Sequence, residues 1–104
     1  VFITEKKSYS ANIDLNVRCV YTEDYSVASV AGMVGFIDGL MAGNADIEYI
    51  YIDGLLRITK AELKDLESFV SEAEKLTKEY GVKFVLTVSG TKESMPEFLA
   101  KYCD

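Results

Sequence analysis

The run Ile47-Glu-Tyr-Ile-Tyr-Ile-Asp53 constrains the fold most strongly. Apolar or aromatic side chains fill nearly every position, so either face of an extended segment is sticky. That pattern predicts a strand covered on both sides, as in parallel sheets layered between helices. Asp53-Gly54 ends the run and places an acid at the strand's carboxyl end.

The flanking segments alternate in kind. Residues 1–4 and 17–22 read as short strands, rich in β-branched and aromatic types. Residues 5–16 are polar and irregular, with Ile13 and Leu15 as anchors. From Ser26 the spacing of Val27, Val30, Ala31, Val34, Ile37 and Met41 predicts a helix. Asp24 or Ser26 is expected to cap it, and Gly43-Asn44 to end it. Thr59 opens a second helix, with Glu62 as its capping-box partner. Leu63, Leu66, Phe69, Val70, Ala73, Leu76 and Tyr80 make its apolar stripe, and Gly81 its left-handed stop. Residues 82–88 read as the last strand. A short helix then follows, capped by Ser94, with Pro96 in its first turn and Met95, Phe98, Leu99 and Tyr102 on its apolar face.

The order is β-β-α-β-α-β-α. It predicts one α/β domain over residues 1–104, a three-layer sandwich on a mostly parallel sheet. The chain opens at Val1 without a methionine, which suggests a piece cut from a longer protein. Ligands of such sheets bind beyond the carboxyl ends of the strands. That rim collects Thr22, Glu23, Asp24, Asp53, Gly54, Thr87, Ser89 and Gly90.

Charge and composition exclude several roles. The net charge of −6, with no basic cluster, repels nucleic-acid phosphates and anionic lipid. No histidine exists, and Cys19 and Cys103 lack metal-ligand spacing, so a zinc centre is not expected. Two such cysteines fit reduced, buried thiols of a cytoplasmic protein. No stretch has membrane length and apolarity.

Three features carry candidate chemistry. Asp53, after an apolar strand, occupies the position of an acid that holds Mg²⁺ for a nucleotide, but no GxxxxGK[ST] phosphate loop accompanies it. The plainer reading is that Asp53 and Gly54 turn the chain. Glu23, Asp24, Asp53, Thr87 and Lys92 have the residue types of a phospho-acceptor site around Mg²⁺, although their order departs from that of a receiver domain. The plainer reading is that Glu23 and Asp24 complement a helix dipole. The first helix carries Gly32, Gly35 and Gly39, each costing about 1 kcal/mol relative to alanine. Its smooth strip serves either close packing on the domain's own sheet or a dimer or partner interface.

Val1-Phe-Ile-Thr, Val17-Arg-Cys-Val-Tyr-Thr, the strand ending Ile-Asp-Gly-Leu at 52–55 and Phe84-Val-Leu-Thr-Val together resemble the later half of KaiC/RecA-like domains. They are most similar to a mainly archaeal branch that lacks the P-loop. The resemblance spans nearly the whole chain and implies that fold, with Asp53 at the Walker B position. The phosphate loop, the glutamate beside the acid and an arginine finger have no counterpart here. The expectation is therefore a non-catalytic regulatory or protein-interaction module of a signalling protein, homodimeric or bound to a protein partner, without cofactor. The second expectation is a ligand, nucleotide or phospho-acceptor switch at the Asp53 rim, using Mg²⁺ or a nucleotide.

Overall fold

Among the described residues, four short strands form one wholly parallel sheet: β1 (Phe2–Thr4), β2 (Cys19–Tyr21), β3 (Tyr49–Ile52) and β4 (Lys83–Leu86), in the order β2-β1-β3-β4. The computed structural model describes residues 1–14, 16–90 and 92–102, with the backbone alone for Lys92. Leu15 and Cys103 lie outside the described residues. Ile3 pairs with Val20 on one side and Ile52 on the other, and Ile50 pairs with Phe84. These residues line up on a single face.

That face receives the helices. The β2-to-β3 connection, α1 (Val30–Gly43), steps over β1. The β3-to-β4 connection carries α2 (Leu55–Thr59) and α3 (Glu67–Tyr80) in the same direction. Right-handed crossovers running the same way land on the same side, and α1 packs against α3 there. Met33, Ile37 and Met41 of α1 and Phe69, Val70, Ala73 and Leu76 of α3 join Ile3, Val20, Ile50 and Ile52 in one core. The Phe69 ring meets Phe84 edge-on at 6.4 Å. The last helix, α4 (Glu97–Ala100), adds Leu99 to the same core.

The opposite face is covered only in part. The β1-to-β2 connection runs the other way, and its 3₁₀ turn Lys7–Ser10 reaches Tyr21, with Ser10 Oγ 2.9 Å from the Tyr21 hydroxyl. Thr4, in register with Tyr21, is fully buried. Over β3 and β4 the face is open: Tyr49 and Tyr51 are each 42% exposed, whereas Ile50 and Ile52 are buried. The expectation of a β3 strand covered on both sides is corrected here. Tyrosine tolerates this position because its ring packs while its hydroxyl stays wet, and the two rings stack 5.9 Å apart.

Helix boundaries also differ from expectation. Ser29, not Asp24 or Ser26, caps α1, its hydroxyl accepting the Gly32 N–H at 2.9 Å. Asp24 lies in the 3₁₀ turn Thr22–Tyr25, and Ser26 ends that turn in the left-handed region. The expected helix start at Thr59 is a separate turn, α2. The Thr59 hydroxyl donates to the Leu55 carbonyl at 2.8 Å, back into α2. The Asp65 carboxylate instead accepts the Glu62 N–H at 3.1 Å, ahead of the 3₁₀ turn Leu63–Leu66 that leads into α3. The expected stripe of α3 is buried except at Tyr80, which is exposed, and Leu63, which is half-buried. Gly81 closes α3 with φ 74°, its N–H donating to the Thr77 carbonyl. Pro96 stands at the N-cap of α4 rather than inside its first turn, and Tyr102 is exposed. No helix among the described residues is long and apolar enough to cross a membrane.

Candidate functional site

The carboxyl ends of three adjacent strands bring Thr4, Asp53 and Thr87 together. Backbone pairing sets the level: Asp53 N–H donates to the Ile3 carbonyl at 2.8 Å, and Thr87 N–H to the Ile52 carbonyl at 3.0 Å. The Asp53 carboxylate then accepts the Thr87 hydroxyl at Oδ1 (3.0 Å) and the Thr4 hydroxyl at Oδ2 (3.3 Å). Thr87 Oγ1 itself accepts the Gly54 N–H at 2.7 Å. Gly54 adopts φ 77°, which lets β3 turn directly into α2.

Arg57 completes the cluster. One turn of α2 after Asp53, its Nη2 lies 3.7 Å from Asp53 Oδ2, and its Nε lies 3.4 Å from Glu5 Oε1. Its guanidinium carbon sits 4.6 Å from the centre of the Tyr9 ring. Arg57 thus ties the β3–α2 turn to the segment that follows β1. Its side chain is 45% exposed, so each ion pair contributes at most about 1 kcal/mol. Arg57, Thr4, Glu5 and Tyr9 were not among the expected site residues. The signal for Arg57 was the Asp53-to-Arg57 spacing of one helical turn, which needs a helix at Leu55–Thr59 that the sequence reading did not place.

The other expected rim residues stand apart from this network. Glu23 and Asp24 are exposed on the turn Thr22–Tyr25, which touches the rim through the Glu23 N–H donating to the Glu5 carbonyl at 3.2 Å. Ser89 is exposed two residues past Thr87. The side chain of Lys92 lies outside the described residues. Among the described residues no group of three or more acids or thiols is placed to hold one metal ion. The Cys19 thiol is free and half-buried. Chemically the rim is a closed exchange of hydrogen bonds: the Thr87 hydroxyl is used as both donor and acceptor, and the Asp53 carboxylate faces two hydroxyls and a guanidinium.

A second surface lies on α1. Every exposed residue of this helix is alanine or glycine: Ala31, Gly32, Gly35, Gly39, Ala42 and Gly43. Gly35, Gly39 and Gly43 recur every four residues and so share one side. A Cβ added at any of these three would meet no atom within 4 Å, whereas one at Gly32 would touch Ser29 Oγ at 3.0 Å. The strip therefore does not serve close packing on the domain's own sheet. It floors a shallow groove of about 400 Å³, bounded by Phe36, Leu40, Asn44 and Arg18.

Comparison of the chain with protein-family models, curated proteins and solved structures finds no match.

Proposed function

We propose that this domain is a non-catalytic protein-interaction module that docks through the bare side of α1, with a second copy of the same helix as its partner. The observation that carries the reading is the exposed surface of α1, made of alanine and glycine alone. A solvated helix normally presents charged and polar side chains on its outer face. Here the one charged residue, Asp38, is half-buried. Helix axes approach according to the side chains between them, so glycines every four residues permit the closest approach. The strip is uncharged, so two chains of net charge −6 meet where repulsion is least.

The test is sedimentation across a concentration series. The wild type should associate, and Gly35→Leu should be monomeric with an unchanged circular-dichroism spectrum, because a side chain at 35 has open space in the monomer. A wild type that stays monomeric at every concentration removes the self-docking reading.

The absence of a catalytic role is proposed on the rim's chemistry, where hydroxyls, carboxylate and guanidinium are spent on one another. Relationship to KaiC/RecA-like domains is likewise a proposal, supported by the parallel sheet and by Asp53-Gly54-Leu55 at the end of β3. A regulatory role in signalling and a cytoplasmic location complete it; the free Cys19 thiol suits a reducing compartment.

One observation favours a second reading, a ligand or phospho-acceptor switch at Asp53: the convergence of Asp53, Thr87 and Arg57 at the end of the sheet where ligands of this architecture bind. Ligand binding to the folded state raises its melting temperature by mass action. Mg²⁺-ATP or beryllofluoride should then raise the melting temperature of the wild type and leave Asp53→Asn unmoved. No shift in either protein removes the switch.

A further inference from the structure

We propose that a proton on Glu72 bridges to the Asp38 carboxylate across the seam between α1 and α3, so that the seating of α1 tightens in acid and loosens as Glu72 ionises. Asp38 is the single charged residue of α1. Its Oδ1 is fully buried, and among the described residues no donor reaches it. A buried carboxylate oxygen without a donor is costly and uncommon in folded proteins. The group facing it is another acid: the Glu72 carboxyl, on a side chain only 16% exposed, lies at hydrogen-bonding range of Asp38. A proton on Glu72 supplies the donor that the Asp38 carboxylate lacks.

The surroundings agree with this assignment. Hydrogen bonding with Asp38 is the largest cause holding the Glu72 carboxyl above the ordinary glutamate range, followed by burial and the Asp38 charge, with a small push from Glu79. Lys75, whose Nζ lies 3.8 Å from Glu72 Oε1, pulls the other way and does not reverse the direction. Glu74, also on α3, pairs with Lys101 and Tyr102 on the side that meets α4. The folded-state pKa of Glu72 lies above its unfolded value. Between the two the folded state holds more protons, and stability falls as pH rises. Above the folded pKa two carboxylates face each other and the full penalty stands.

The inference does not depend on docking through α1, because its readout is the stability of the domain itself. Melting temperatures are compared for wild type, Asp38→Asn and Glu72→Gln from about pH 4 to pH 8. Both variants keep the shape of the pair while removing one charge. Each should gain melting temperature on the wild type as pH rises through the Glu72 titration, with the gap widening toward alkaline pH. The double variant should gain little beyond either single one. Carbon-detected NMR of the Glu72 carboxyl should show it titrating above the ordinary range in the wild type and within it in Asp38→Asn. A difference between variant and wild type that does not change with pH, or a Glu72 carboxyl that titrates in the ordinary range in the wild type, overturns the proposal.

Discussion

Thr87 shows how one side chain can join two elements. Its hydroxyl accepts from Gly54 and donates to Asp53, so the end of β4 holds the turn that leaves β3. Thr87→Val keeps the branched shape but removes both bonds, leaving the Gly54 N–H and Asp53 Oδ1 to water. Thr87 is exposed, so the expected loss is at the low end for such bonds, about 1 kcal/mol in urea denaturation, with Thr87→Ser restoring most of it. The place of Asp53 was legible in the sequence, because an acid that follows an apolar strand in a β-α-β alternation lies at that strand's carboxyl end. Its partners were less so. Thr87 could be placed on the same rim, but Thr4 and Glu5 join it only through the pairing of β1 with β3, which nothing in either segment specifies.

At the scale of elements, α3 and α1 differ in what their sequences disclose. The α3 segment alternates apolar and charged positions, so its buried stripe follows from spacing. The α1 segment is apolar all round, and the same spacing fits several faces. The expected stripe ran through Val27, Val30, Ala31, Val34, Ile37 and Met41; Ile37 and Met41 are buried, but Met33 joins them, Val27, Val30 and Val34 are only half-buried, and Ala31 is exposed. Polar contrast is the signal that orients a helix, and α1 has almost none. Its glycines also carry a prediction at this scale. An exposed helical glycine with open space around it lowers helix stability, so Gly35→Leu should raise the stability of the monomer by roughly 0.5–1 kcal/mol in denaturant unfolding while it blocks docking. An unchanged or lowered stability would mean that the strip has a packing role inside the monomer. The α2 turn escaped the sequence reading because Leu55, Leu56 and Ile58 are apolar without a clear period, and five residues are too few to show one. Gly54 in the left-handed region and the Thr59-to-Leu55 bond decide for a turn instead.

For the whole molecule, the two faces of the sheet are unequal. The helix-covered face holds the core, and removing side-chain volume there leaves a cavity. Ile50→Ala should cost about 2–5 kcal/mol in equilibrium unfolding. On the open face Tyr51→Lys should change stability by no more than about 0.5–1 kcal/mol. Equal losses at both positions would show that something covers the tyrosines in solution. The parallel α/β class was readable from the alternation of strands and helices. The strand order was not, because segments of three or four residues carry too little information to name their neighbours.

The central place of β1 has a kinetic consequence. This strand, at residues 2–4, is the bridge between β2 and β3, and its contacts join positions far apart along the chain: the Val1 amine donates to the carbonyl of Tyr49, 48 residues away. Closing so wide a loop costs entropy before any contact repays it. The two crossover helices α1 and α3 run parallel to each other on one face, and neither supplies β1 with a local partner. Folding should therefore be slower than in a helical domain of equal size, and a stopped-flow refolding trace in the millisecond range or slower is the expected outcome.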